Sequence, residues 1–317
     1  MNQMTPNNIP HGYKATALGI IPQEWEVRSL DYFGDIYSGG TPDTEVAEYW
    51  NGDIAWCTPS DITKLDTKYI ESTEVKITAK GLKESSATLL PPRSIVVCTR
   101  ATIGSAAICN TEIATNQGFK NIITNETANP EWLYYNIIYS KPRLVRLGCG
   151  STFLEVSKKD FSRFKIVAPL LEEQRKIAEV LGVWDEAIEK QARLIEKLAL
   201  RKRALMQRLL SAKLRLPGFS EPWKKVKLGD VAELYQPQTI QSEDLSQTGY
   251  PVYGANGLIG YYNNYNHEYP QVVITCRGSS CGTVNFTPGK CWITGNAMVL
   301  NVDNNRDVNK SFFYYLQ

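Results

Sequence analysis

Two arginines sit where a guanidinium could do recognition chemistry. Arg100 closes the run Ser94-Ile95-Val96-Val97-Cys98-Thr99 and opens the small-residue turn Ala101-Thr102-Ile103-Gly104. Arg277 closes Gln271-Val272-Val273-Ile274-Thr275-Cys276 and opens Gly278-Ser279-Ser280-Cys281-Gly282. A planar fork of N–H donors at the end of a strand suits a bidentate contact with guanine or with a phosphate. Asn116 and Gln117 carry the paired donor and acceptor that can read adenine edges. The segment from Tyr253 to Tyr262, glycine-punctuated and aromatic, reads equally as a binding loop and as a β-hairpin with packed tyrosines.

Catalytic chemistry is harder to assemble. No GxxxxGK[ST] phosphate loop is present, since Gly289-Lys290-Cys291 lacks its partner glycine, and no GxGxxG opens a helix after a strand. Asn129-Pro130-Glu131-Trp132 approaches the Asn/Asp-Pro-Pro-aromatic motif of amino-methyltransferases and fails at its third position. A nuclease pattern can be forced from Asp43, Glu74 and Lys76, but such a pattern recurs by chance in charged sequences. The two histidines, His11 in a polar tail and His267 in an Asn/Tyr-rich segment, leave few general bases. No nucleophile elbow supports Ser-His-Asp hydrolysis. Seven cysteines without CxxC spacing favour reduced thiols over disulfides or a zinc site. Cys276, Cys281 and Cys291 lack a histidine nearby and read as small strand fillers.

Net charge is only +2, so the balance as a whole announces no polyanion; the distribution says more. Lys141, Arg143 and Arg146 form one basic group, and Lys158, Lys159, Arg163 and Lys165 a second. Arg201, Lys202, Arg203, Arg208, Lys213 and Arg215 form a third. Each alone reads as a solvated face; together they make a basic stripe plausible.

The elements that would hold these residues occur twice. Ile21-Pro22-Gln23-Glu24-Trp25 through Leu30 returns as Phe219-Ser220-Glu221-Pro222-Trp223 through Leu228, and Ile36-Tyr37 returns as Leu234-Tyr235. The two arginine segments match, as do Ala114 to Gly118 with Ile293 to Ala297, and Trp132 to Tyr135 with Phe312 to Tyr315. Repeats found in the same order predict a duplicated fold. Between the copies, from Leu171 to about Lys213, there is no proline. Ile177, Leu181, Trp184, Ile188, Ile195, Leu198, Leu205 and Leu209 alternate three and four apart, a heptad stripe that wants a partner helix. At ~1.5 Å per residue the rod would reach ~60 Å. The expectation is an α+β chain: two repeated mixed α/β domains, residues 1–169 and 217–317, separated by a long coiled-coil helix over 170–216. No apolar run approaches the ~20 residues of a membrane span, and the N-terminus lacks a signal-peptide core, which points to the cytoplasm.

The chain resembles the specificity subunits of type I restriction-modification enzymes. The resemblance rests on Gly12-Tyr13-Lys14 through Leu18-Gly19-Ile20-Ile21-Pro22 and Trp25, then on Ser38-Gly39-Gly40-Thr41-Pro42, Trp56-Cys57-Thr58-Pro59-Ser60-Asp61-Ile62, Thr99 to Gly104, and Thr115 to Phe119. It continues in Pro169-Leu170-Leu171-Glu172-Glu173-Gln174 with Ile177, Ala178, Leu181, Asp185 and Ile188, in Leu205-Met206-Gln207 with Leu209-Leu210, and in Tyr253 to Gly257. It implies that each globular domain is a target-recognition domain reading one half of a split site in double-stranded DNA. The expected contacts are Gly39, Gly40, Thr41, Thr58, Ser60, Arg100, Thr102, Asn116, Gln117, Lys120, Lys158 and Lys159, then Tyr253, Asn256, Arg277 and Ser279. The helical stripe would meet methyltransferase subunits, through which restriction subunits join, or a second copy of the chain. S-adenosylmethionine, ATP and Mg would belong to those partners, with no cofactor in this chain. The second copy stops two residues after Tyr315, so the expected second domain is C-terminally incomplete. Two other readings stay open: a fused nuclease using Asp43, Glu74 and Lys76, and a coiled-coil adaptor that never touches DNA.

Overall fold

A β-branched run such as Ile95-Val96-Val97 has no polar alternation because both of its faces are covered. In the computed structural model, which describes residues 9–148, 154–254 and 257–315, the strand Ile95–Cys98 is buried throughout. Ile95 and Val97 enter one apolar cluster with Phe33, Ile122, Trp132 and Leu133. Val96 and Cys98 enter another with Cys57, Ile62, Ile113 and Phe119. The chain divides into two compact units, one ending at Leu194 and one beginning at Ile195.

The first unit carries a five-stranded sheet in the order Gly34–Ser38, Phe119–Thr124, Ile95–Cys98, Ala106–Cys109, Tyr69–Ile70. Its first four strands pair antiparallel and the last joins parallel. A second sheet runs Ile113–Thr115, Trp50–Cys57, Lys76–Ile77, the first pair parallel. The helix Pro130–Tyr139 lies against Ala106–Cys109; it begins at Asn129, whose Oδ1 accepts from the Trp132 amide at 2.8 Å, with proline in its first turn.

The second unit repeats this plan. Glu233–Tyr235, Ala297–Asn301, Val272–Thr275 and Val284–Phe286 form an antiparallel sheet in the same order as their sequence counterparts. Tyr250–Gly254 pairs in parallel with Trp292–Ile293, as Trp50–Cys57 does with Ile113–Thr115. The helix Lys310–Tyr315 packs on Val272–Thr275 and Val284–Phe286. The duplication read from sequence is a duplication of topology. Tyr250–Gly254 and Gly257–Tyr262 form the anticipated hairpin, and its tyrosines pack edge-on, Tyr262 against Trp292 and Tyr250 against Tyr265.

The long helix is continuous over Leu171–Leu210, 40 residues. It stops short of Lys213 because Ala212 turns left-handed at φ +57° and the Leu214 amide closes back on the Arg208 carbonyl at 2.9 Å. Its first turns dock on the first unit. Gln174 is buried, its Oε1 accepting from the Asn129 amide and its Nε2 donating to the Thr127 and Pro169 carbonyls. Ala178 is buried in the first apolar cluster and Ile177 packs against it, so Ile177, expected at a partner interface, faces its own domain. Farther along, Asp185 accepts from Tyr135 Oη at 2.6 Å and from Lys68 Nζ at 3.0 Å. Leu181, Trp184, Ile188, Ile195, Leu198 and Leu205 remain exposed, while Leu209 is half-buried. No helix of the described residues is long and apolar enough to cross a membrane.

Candidate nucleic-acid interface

Arg100 stands at the end of the hairpin between Ile95–Cys98 and Ala106–Cys109. The hairpin closes by Cys98 N–H to the Ser105 carbonyl (2.8 Å) and Gly104 N–H to the Cys98 carbonyl (2.9 Å). The next residue, Ala101, is held at φ +54°, a conformation that an L-residue with a Cβ seldom adopts and that persists only where its surroundings impose it. The second unit builds the same device with one more residue in the turn. There Gly282 N–H meets the Thr275 carbonyl and Thr275 N–H the Thr283 carbonyl, both at 2.9 Å. Gly278 follows Arg277 at φ +77°, so glycine fills the position that Ala101 fills under strain. Arg277 and Ser279 are exposed on that turn, and Tyr253 is half-buried beside the core. Asn256 lies outside the described residues.

Three further loops converge on Arg100. Thr99 N–H donates to the Gly118 carbonyl at 2.7 Å, and Asn116 N–H to the Cys57 carbonyl at 3.0 Å. Asn116 spends its Oδ1 on the Gly118 amide at 2.9 Å, which shapes the loop and leaves less of the side chain for a ligand. Gln117 is exposed, and its side-chain oxygen accepts from Thr41 Oγ1. Gly40 N–H binds the Thr115 carbonyl at 2.9 Å. A Cβ on Gly39 would lie 1.9 Å from the Asn116 carbonyl oxygen and one on Gly40 2.3 Å from the Ala87 amide, so backbone approach requires both glycines. Thr58 Oγ1 and its amide both donate to the buried Asp61 carboxylate, and Ser60 Oγ is 2.8 Å from Thr58 Oγ1. Gly39, Gly40, Thr41, Thr58, Ser60, Arg100, Asn116 and Gln117 therefore belong to one loop cluster, although they span nearly eighty positions of sequence. Thr102 is half-buried within the arginine turn.

Lys120 departs from the expectation of an exposed contact. It is buried, 5% exposed, with Nζ 3.5 Å from Glu155 and from Thr99 Oγ1. Burial lowers its pKa, Glu155 opposes that, and the nearby Arg100 and Lys158 add to it. Glu155 also binds Arg100 Nη2 at 2.7 Å, and that hydrogen bond leads in holding its carboxyl below the usual range. Lys158 and Lys159 are exposed on the helix Lys158–Ser162, with Lys158 Nζ 5.9 Å from the centre of the Tyr37 ring. Sequence reasoning passed over Glu155, because nothing local marks an acidic residue as the partner of an arginine 55 positions away. Two basic groups separate in sequence also meet. Arg143, Arg146, Arg163 and Lys165 line one concavity around Phe164, with Arg143 stacked 4.5 Å over that ring.

Two of the three nuclease residues are engaged elsewhere. Glu74 pairs with Lys64 at 2.7 Å, and Asp43 Oδ1 accepts from the Glu45 amide of its own turn. No group of three or more His, Cys, Asp or Glu residues arranged to hold a metal occurs among the described residues. The cysteines Cys57, Cys98, Cys109 and Cys291 are buried free thiols, and burial pushes Cys109 up to about 12 and Cys98 up to about 11.

The chain matches the type I restriction modification DNA specificity domain twice, over residues 22–199 and 220–317. It is 40% identical over 194 residues to the MjaIX type I restriction enzyme specificity subunit of Methanocaldococcus jannaschii, which covers 59% of this chain and 45% of that one. It is 26% identical over 285 residues to the EcoprrI specificity subunit of Escherichia coli, covering 84% of this chain and 70% of that one. The chain thus spans less than half the length of the MjaIX subunit. Its fold is that of the type I S subunit of M. genitalium (TM-score 0.57, 18% identity, 92% of this chain and 75% of that one). It is also that of the HsdS subunit of Thermoanaerobacter tengcongensis (TM-score 0.52, 19% identity, 93% and 80%). With two copies of the domain, each built on the arginine-turn sheet, the chain belongs to the type I restriction modification DNA specificity domain family.

Proposed function

We propose that this chain is a DNA-recognition subunit of a type I restriction-modification complex and is itself non-catalytic. The observation that carries the reading is the pair of arginine turns. Each ends the same hairpin of a duplicated sheet, and the first lies among loops lined with Thr, Ser, Asn and Gln. Such turns offer directed donors to base edges, while the exposed Lys158, Lys159 and the Arg143 concavity offer charge to phosphates. Each unit would read one half of a split site in double-stranded DNA. Methyltransferase subunits, or a second copy of the chain, would cover the exposed stripe from Leu181 to Leu205, and restriction subunits would join through the methyltransferase. S-adenosylmethionine, ATP and Mg would be held by those subunits, and the complex would work in the cytoplasm.

Methylome sequencing of cells carrying this gene, with and without its partner methyltransferase, tests the reading. A split motif methylated only when both are present is expected; methylation of the same motif without this chain would refute it. In the assembled complex, affinity should also fall with salt by ~0.9 log units per log salt for each phosphate held. A flat response would remove phosphate contact from the account.

A further inference from the structure

Near the loop cluster, Asp61 spends its carboxylate on Thr58, whereas Glu155, also of the wrong sign for DNA, turns its carboxylate on Arg100 itself. Its carboxylate stands among cations: Oε2 on Arg100 Nη2 at 2.7 Å, Oε1 facing Lys120 Nζ at 3.5 Å. The backbones are fixed as well. Arg100 and Glu155 form an antiparallel bridge, and Val156 N–H donates to the Thr99 carbonyl at 3.0 Å. We propose that Glu155 is a specificity-determining residue, a buttress that fixes the Arg100 guanidinium for a base edge and weakens its hold on phosphates at large. The inference rests on the reading of this chain as a DNA-recognition subunit.

Three features separate a buttress from a chance surface pair. First, the carboxylate is backed by a buried ammonium: the Lys120 side chain is 6% exposed, so Glu155 cannot swing away without stranding a charge. Exposed ion pairs lack that constraint and contribute little. Secondly, the arginine is only half-covered, its side chain 43% exposed, so one edge of the fork is held while another faces solvent. Thirdly, Arg100 leads into the strained Ala101 turn and sits beside Gly118, so its main chain has little freedom to follow a misplaced ligand.

The electrostatics give the preference its direction. A carboxylate touching the guanidinium offsets part of its charge. A phosphate, bound through charge, loses most of its attraction. A guanine edge, bound through the directions of two N–H donors, loses less and gains from a side chain already held in place. Specificity is the difference between those two affinities, so one acidic residue raises it while lowering total affinity.

The test uses the complex with its methyltransferase. The motif is taken from the methylome of cells carrying the parent chain. Labelled duplexes bearing that motif, or a scrambled one, are titrated at several salt concentrations with the parent, Glu155→Gln, Glu155→Asp, Arg100→Ala and the double variant Arg100→Ala/Glu155→Gln. Glu155→Gln should bind the scrambled duplex more tightly, with a salt slope steeper by ~0.9, one added phosphate contact. Its motif-to-scrambled ratio should fall by about 10-fold or more, the scale of one base contact. The double variant should discriminate no worse than Arg100→Ala, because Glu155 acts through Arg100. Glu155→Asp keeps a negative charge in the cluster but shortens its reach, loosening the contact with Arg100; it should fold and still lose discrimination, which serves if the glutamine variant is unstable. A parental ratio in either folded Glu155 variant, or additive losses in the double variant, would overturn the buttress alone. A parent complex with no preference for its motif would overturn the recognition reading, and the buttress with it.

Discussion

At the scale of single residues, the candidate interface is built from side chains whose neighbours have already committed part of their bonding. Arg100 donates through Nη2 to Glu155, Asn116 Oδ1 accepts from the Gly118 amide, and Thr58 donates its hydroxyl to Asp61. What remains exposed is directed rather than free. Replacing Arg100 with alanine should weaken binding to the methylated motif by ~1–3 kcal/mol and leave scrambled DNA nearly unchanged, if the guanidinium reads a base. An equal loss on both duplexes would assign it to a phosphate. His267 makes a different kind of prediction. It is buried between Tyr235 Oη, 2.8 Å from Nε2, and Asn266 Oδ1, 2.6 Å from Nδ1, and burial lowers its pKa. The folded state therefore prefers the neutral ring. Its contribution is complete above the ordinary histidine pKa of ~6.5 and is lost as pH falls through the depressed folded value. The protection factors of the Glu233–Tyr235 and Trp292–Ile293 amides, each rate compared with the intrinsic exchange rate at the same pH, should fall as pH drops from neutral toward 5, and His267→Gln should flatten that dependence. Both arginines were legible in sequence because a β-branched run followed by small residues is a local pattern. The burial of Lys120 was not: its neighbours in the strand Phe119–Thr124 set the side chain's direction, but only the packing of Glu155 and Thr99 around it makes a buried ammonium tolerable.

At the scale of elements, the long helix is anchored by polar groups where the heptad pattern directed attention to apolar ones. Asp185, Lys68 and Tyr135 form a closed triangle, with Lys68 Nζ also 3.0 Å from Tyr135 Oη. Burial first, then the Asp185 carboxylate, pushes the Tyr135 hydroxyl up to about 12; burial works against the Lys68 charge, yet hydrogen bonds to Tyr135 and Asp185 carry its pKa upward. Asp185→Ala would strand an ammonium whose side chain is only 12% exposed. We expect a loss of ~1–3 kcal/mol in the first unit, the cost of a buried group left unpaired. The double variant Lys68→Met/Asp185→Leu should recover much of it, since apolar replacement of both partners removes the stranded charge. Thermal melts of the three chains decide the matter; an Asp185→Ala chain melting with the parent would mean that the triangle holds nothing. The repeated sheet was readable because matched segments such as Ser94 to Arg100 and Gln271 to Arg277 became the same strands in the same order. The triangle was not readable, because Lys68, Tyr135 and Asp185 carry no shared spacing and meet only through tertiary packing.

At the scale of the whole molecule, the helix combines length with an uncovered stripe. Trp184 is 66% exposed, Ile188 65% and Ile195 59%, more apolar surface than an isolated helix face ordinarily leaves to water. A coiled-coil partner on that stripe would hold the helix straight, and a straight helix converts residues into distance at ~1.5 Å each. That property makes a ruler testable. Inserting four residues after Ala199 adds ~6 Å and turns the C-terminal remainder of the helix by ~40° beyond a full turn; inserting seven adds ~10.5 Å and returns it to within ~20° of its original phase. Along B-form DNA, at ~3.4 Å per base pair, the additions correspond to about two and three pairs. Both insertions also shift or extend the heptad stripe, the four-residue one by a stutter and the seven-residue one by a whole repeat. If the helix sets the spacer between half-sites, the seven-residue variant keeps its seam and should favour a spacer about three pairs longer, but those pairs turn the far half-site by about 105° at roughly 10–10.5 pairs per turn while the helix returns to phase, so its methylation should be weak. The four-residue variant should be the more active of the two, with a spacer longer by one or two pairs, because its ~40° rotation follows the roughly 35° of twist that one added pair brings. Methylomes of the parent and the two variants, each assembled with the same methyltransferase, provide the comparison. Unchanged spacers with full methylation in both variants would mean that the distance between half-sites is set elsewhere and that the helix serves only to bind partners.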